Sequence, residues 1–192
     1  DRHLAGRGDH RIEVARRHPV DEDAGLVAPF PGMDGPLGSP LPAVRHGKMK
    51  NVWLGTSVGH RNSIHRIDQL AKCKSLCQFT FLSMEPLLEP IDVSELVQRK
   101  ETRPDWIIVG GESGDDARPC NQEWIRQIKN ECQRNGLPVF VKQMGENSKR
   151  LMDSPDGDRR LVPVRYDDRH GADMSEWDED LRVQEVPLAS AF

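Results

Sequence analysis

DWIIVGGESGDDARP, residues 105–119, decides the fold. Trp106, Ile107, Ile108, Val109 and Gly110 form an unbroken apolar run of strand length. Such a run has no polar alternation, so it reads as a strand covered on both faces, the habit of parallel sheets. It then opens into Gly111, Glu112, Ser113, Gly114 and two aspartates. In parallel α/β folds chemistry collects beyond the C-terminal strand ends, so this acidic glycine loop is read as a possible site as well as a turn.

Working outward, the same grammar repeats on both sides. NVWLGTSV (51–58) is a strand pattern. Behind it Ile64, Ile67, Leu70 and Ala71 recur at helical spacing, with Asn62 or Ser63 as the expected N-cap. QFTFLSME (78–85) is the second strand, followed by IDVSELVQR, where Asp92 and Glu95 are spaced as a capping box. After DWIIVGG comes a helix capped by Asn121, with Trp124, Ile125, Ile128 and Cys132 on one face and Gly136 as its C-terminal stop. PVFVKQMG (138–145) is the fourth strand. The alternation predicts four parallel strands with helices on the outer face.

The flanking zones differ in composition. Residues 1–50 hold 7 Gly and 6 Pro, and only HRIEVARR reads as locally ordered. Residues 146–192 are acidic, with 11 Asp and Glu against 5 Arg from Leu151 onward. That segment reads as a solvated extension of the same domain, with RRLVPVRY as a strand or hairpin arm and SEWDEDL as one turn capped by Ser175. The division is therefore 1–50, a low-order segment; 51–145, the βα core; and 146–192, the acidic extension.

Composition excludes several functions. The net charge of -4 does not suggest a nucleic-acid binder, and no run of about 18 apolar residues is present for a membrane span. No signal peptide is evident and the cysteines are scattered, so a reducing cytoplasm is expected. The sequence does not start with methionine, which suggests a fragment.

The strand ends supply the candidate site. Glu85, Glu112 and Lys142 are the expected functional trio, predicted to converge at one end of the sheet. Ser57, Gly110, Gly111, Ser113 and Gln143 are the expected ligand-facing residues around them. Mutual pairing of the three charges is the competing structural explanation, because a charge at a closed sheet end needs a partner. Gly110 and Gly111 allow close backbone approach or positive φ, and amides around them could form a nest. The acids nearby disfavour a phosphate and favour an amine or a metal. VGGESG does not match a dinucleotide fingerprint, and no Walker A lysine is present.

No metal site is expected. Cys73 and Cys77 form a C-x3-C pair with no third thiol nearby, so buried structural thiols are the reading. His60 and His65, in the first strand–helix connection, are commoner as solvated loop histidines than as ligands, and Trp124 is read as core.

NVWLGTSV, FLSMEPLLEPID, DWIIVGGESGDDARP, the Trp124 helix, GLPVFVKQMGE and HGADMSEWDEDLRVQEVP together resemble the phage "gene product 37 / gene product 68" family, over about residues 51–186. Members of that domain of unknown function resemble radical S-adenosylmethionine proteins. The resemblance implies a partial (β/α) barrel. It also implies, for full-length members, a [4Fe–4S] cluster on an N-terminal cysteine motif and S-adenosylmethionine. This chain carries no such motif in residues 1–50, so no cofactor is expected here, and that segment looks unlike the family. GGES is similar in letters to the motif by which radical enzymes of this kind contact the cofactor's amino group, but it falls late in the chain. The expected function is that of the C-terminal half of such a barrel, with a rim facing a small ligand and the cluster ligands missing. A non-catalytic phage or prophage binding protein, with a small ligand or protein partner, and a metal- or phosphate-dependent barrel enzyme are the alternatives.

Overall fold

The computed structural model describes residues 48–188. HRIEVARR and the rest of the Gly/Pro-rich segment lie outside them. Four strands, β1 (Met49–Ser57), β2 (Cys77–Met84), β3 (Trp106–Gly110) and, after a short strand noted below, β5 (Val139–Gln143), form one sheet in the order β1-β2-β3-β5. Every pairing in it is parallel. Helices α1 (His65–Lys72), α2 (Ser94–Gln98) and α3 (Gln122–Arg134) lie in the three connections, as the alternating sequence requires. The fold is thus mixed α/β with a mostly parallel four-stranded sheet. A closed barrel is not what the described strands form.

One sheet face makes the core. Leu82 and Met84 of β2, Ile107 and Val109 of β3, and Val139 and Val141 of β5 pack with Leu70, Val97, Ile125, Ile128 and Cys132 from the helices. Fully burying a side chain such as Ile125 contributes roughly 1.5–3 kcal/mol. The other face is aromatic. Alternation sends Trp53, Phe79, Phe81, Trp106 and Phe140 to it, and Trp53–Phe79, Trp53–Trp106, Phe81–Trp106 and Trp106–Phe140 ring centroids lie 4.9–5.9 Å apart. Gly55 makes room for this packing. It pairs in register with Phe81, and a Cβ there would lie 2.3 Å from the Phe81 ring.

Helix ends follow the sequence in part. Asn121 caps α3, its Oδ1 accepting from Glu123 N, and Gly136 terminates it at φ +60. The α1 entry is different. A 3-10 turn at Arg61–Ser63 precedes it, and the His60 ring accepts from Asn62 N, so neither Asn62 nor Ser63 caps α1. The capping box before α2 is half made: Asp92 accepts from Ser94 N at 2.8 Å, but Glu95 turns outward to Arg99 at 3.2 Å.

The C-terminal part is not a solvated extension. β4 (Cys120–Asn121), β6 (Ser148–Asp153) and β7 (Arg159–Pro163) form a second sheet, with β4 parallel to β6 and β7 antiparallel to it. RRLVPVRY does supply a hairpin arm. Trp177 is 2% exposed and its indole N–H donates to Gly171 O at 3.0 Å. The cap of the turn before it is Asp173, whose carboxylate accepts from Ser175 N; Ser175 itself is not the cap. Residues 183–185 lie along β5: Val141 N donates to Val183 O, Glu185 N to Val139 O, and Val139 N to the Glu185 carboxylate. Among the described residues no helix is long and apolar enough to cross a membrane.

Candidate functional site

Register stacks the aromatic face in rows. Trp53 pairs with Phe79; Gly55 with Phe81, and Phe81 with Trp106; Ser57 with Ser83, Ser83 with Ile108 and Ile108 with Phe140. The row beyond holds the charges. Glu85 follows β2 and Lys142 is the outward residue of β5, and they meet at 2.9 Å (Nζ to Oε1). Strand β3 lies between them, so with a strand spacing of about 4.8 Å the long lysine reaches across a whole strand. The Glu85 side chain is 14% exposed and that of Lys142 53%. The pair therefore closes the C-terminal edge of an aromatic surface, with its cation open to solvent.

Glu112 does not join them. Its carboxylate is held by Arg118, six residues on, through Arg118 Nε at 2.7 Å, Nη2 at 2.6 Å and the backbone N–H at 2.9 Å. This arginine fork holds the Glu112 carboxyl down at about 2. The predicted trio is a pair, and the third member belongs to a separate local clamp. The reason is reach: Arg118 sits within the same loop, which turns at Gly114 (φ +112) and brings it back.

The rest of the glycine loop is likewise satisfied from within. Glu146 accepts from Gly114 N at 2.9 Å and from Arg169 Nε at 2.5 Å, and Arg169 also pairs with Asp115. Of the acids that favoured an amine or metal, Glu112 is thus paired with Arg118 and Asp115 with Arg169. The glycines serve close backbone approach, not positive φ, since neither Gly110 nor Gly111 has one. A Cβ on Gly111 would lie 2.3 Å from Met144 O, and one on Gly110 2.9 Å from Gln143 O. Gly111 N donates to Gln143 O, Gln143 Nε2 to Gly111 O, and Glu146 N to Glu112 O. The Gly111 amide is therefore taken by the chain itself and does not face an anion. Gln143 is buried and structural. Ser113 is exposed in the loop, and Ser57 is exposed at the end of β1, one row below Glu85.

The described residues do not fit a [4Fe–4S] cluster. Cys77, Cys120 and Cys132 are buried at separate places. Burial pushes the Cys120 and Cys132 thiols up to about 12, far from ligating thiolates. The Cys77 thiol donates to the Cys73 and Phe79 carbonyls. Among the described residues no three His, Cys, Asp or Glu side chains gather as a metal site. His60 lies beside Glu89 (3.4 Å), not Glu85, and His65 bonds the Asn62 carbonyl at 2.9 Å. Trp124 is partly buried against the core.

Sequence reasoning missed Arg118 and Arg169. The only signal was the loop itself: a run of acids beside an arginine past a glycine.

A model of a family described as proteins of unknown function (DUF5131) matches residues 13–179, so the match extends into the Gly/Pro-rich segment. No curated protein and no solved structure matches the chain.

Proposed function

Since the chain belongs to the DUF5131 family of proteins of unknown function, we propose that it forms the C-terminal half of a radical-S-adenosylmethionine-like barrel of phage or prophage type. Its strand-end rim holds a small zwitterionic ligand between Glu85 and Lys142. The observation that carries this reading is the Lys142–Glu85 pair at 2.9 Å, with the lysine half open to solvent. One anion and one cation at that spacing match the two halves of an α-amino-acid head group. Ile108 and Phe140, one row below, offer an apolar wall for its body. The parallel order of the sheet, with its helices in the connections and a second apolar face on the other side, supports the barrel placement. Chemistry through an iron–sulfur cluster is not assigned to these residues.

Phenylalanine and methionine are suitable probes. Titrated into the full chain and followed by amide chemical shifts, they should perturb residues 57, 85 and 140–142. Lys142→Met and Glu85→Gln should each abolish the effect. Shifts elsewhere only, or shifts indifferent to both substitutions, would overturn the proposal.

A further inference from the structure

A second surface lies away from that rim, on the helical side of the sheet. Between α1 and the segment leading into α2 runs a groove of about 300 Å³. Its floor is apolar: Ile67 and Leu96 are half-buried, Ile91 is buried, and Ile64 stands 40% exposed at the lip. Its rim is acidic, with Asp68, Asp92 and Glu95 against the single guanidinium of Arg99.

The three carboxylates are not equivalent. Asp68 is exposed and forms no ion pair with any described residue. Asp92 accepts from Ser94, and those hydrogen bonds hold its carboxyl below the ordinary range, so it stays charged. Glu95 and Arg99 meet at 3.2 Å with side chains 87% and 57% exposed, a pair that salt and competitors exchange readily.

We propose that this groove docks a basic amphipathic helix of another protein. Apolar residues at i and i+4 of that helix enter the floor, and its lysines or arginines meet Asp68, Asp92 and Glu95. Helix-in-groove recognition has this form, an apolar seam with flanking charge. Charge complementarity selects the partner. Nucleic acid and other polyanions are repelled by the rim. A second copy meeting it about a two-fold axis would set each acidic rim against the same rim. The volume sits at the lower limit for a small-molecule site, about 300 Å³, which suits a few inserted side chains better than a whole organic ligand.

The test uses the full chain and a fluorescein-labelled helical peptide with leucines on one face and lysines on the other. A control peptide carries glutamates in place of the lysines. Anisotropy titration should show saturable binding of the lysine peptide alone, weakening with added salt. Ile64→Asp, and separately Asp68→Asn with Glu95→Gln, should each weaken it about tenfold, the scale of one good contact or two charge pairs. Asp153→Asn with Asp156→Asn removes equal charge from the exposed β6–β7 turn and should leave affinity unchanged. So should Lys142→Met, which keeps this surface separable from the rim. Equal losses in the β6–β7 control, or full affinity in Ile64→Asp, would reduce the binding to general charge attraction and overturn the proposal. A concentration-dependent dimer in sedimentation that Ile64→Asp abolishes would overturn it in favour of a second copy.

Discussion

Replacing Lys142 with methionine isolates the rim pair. Methionine keeps the aliphatic stem and deletes the ammonium that meets Glu85 at 2.9 Å. If the pair were buried, leaving Glu85 stranded would cost about 3–5 kcal/mol. The geometry argues for much less. The lysine side chain is 53% exposed, so its charge is largely solvated in the native state, and water can reach Glu85 once it is gone. Exposed pairs contribute about 0.2–1 kcal/mol, and the 14% exposure of Glu85 puts this one near the upper end. A loss of about 1 kcal/mol lowers the melting temperature of a domain this size by roughly 2–4 °C. Urea unfolding of the wild type, Lys142→Met, Glu85→Gln and the double variant gives the coupling directly, and about 0.5–1 kcal/mol is expected. A single-variant loss of 3 kcal/mol or more would mean that the charges are structural. A ligand-exchanging rim would then be the wrong reading.

Glu112 should make stability acid-sensitive. Its folded pKa, about 2, lies below the ordinary carboxyl value, so its contribution is fully present above pH 4.5 and lost as pH falls toward 2. The gap in melting temperature between wild type and Glu112→Gln should close over that window; a gap constant down to pH 2 would refute the Arg118 clamp. Trp177→Ala should cost about 3–5 kcal/mol in urea unfolding, as for other fully buried large side chains, whereas a solvated extension predicts almost no change. Gly114→Ala should cost about 1 kcal/mol, from its φ of +112 alone, because nothing lies within 4 Å of the new Cβ. Gly111→Ala should cost clearly more, since its Cβ meets a backbone oxygen at 2.3 Å, and equal losses would show that the β3 and β5 loops are not in close contact.

The parallel sheet was legible because its signal is local. Ile107–Ile108–Val109 and Val139–Phe140–Val141 are short apolar runs that solvent cannot tolerate on either face, and the helices between them carry 3.6-residue periodicity. Glu85 and Lys142 were legible for the same reason, as charges one step past such runs. Glu112 obeyed that rule too and still went elsewhere. Which of two cations a carboxylate takes depends on the loop's path at Gly114, and strand spacing does not encode that path. The second sheet was legible only in its hairpin arm, Arg159–Pro163; its partner Ser148–Asp153 was hidden because it is a polar, partly exposed strand with weak alternation. Trp177 was hidden by its neighbours: Glu176, Asp178, Glu179 and Asp180 give the segment the composition of a solvated tail. Two of those acids instead tie inward, Asp178 and Asp180 meeting Arg126 at 2.9 and 2.7 Å.

The contact of residues 183–185 with β5 has a consequence for how the chain is made. An open strand edge invites pairing with any other extended chain. Here the backbone groups of Val139 and Val141 are taken by Val183 and Glu185, the last of which lies 46 residues further along. During synthesis, β5 therefore leaves the ribosome well before its cover does, and its edge stays exposed while the intervening sheet and turns are still emerging. Chains cut short before Val183 would keep that edge permanently, and they should aggregate in proportion to concentration even if the hydrophobic core forms normally.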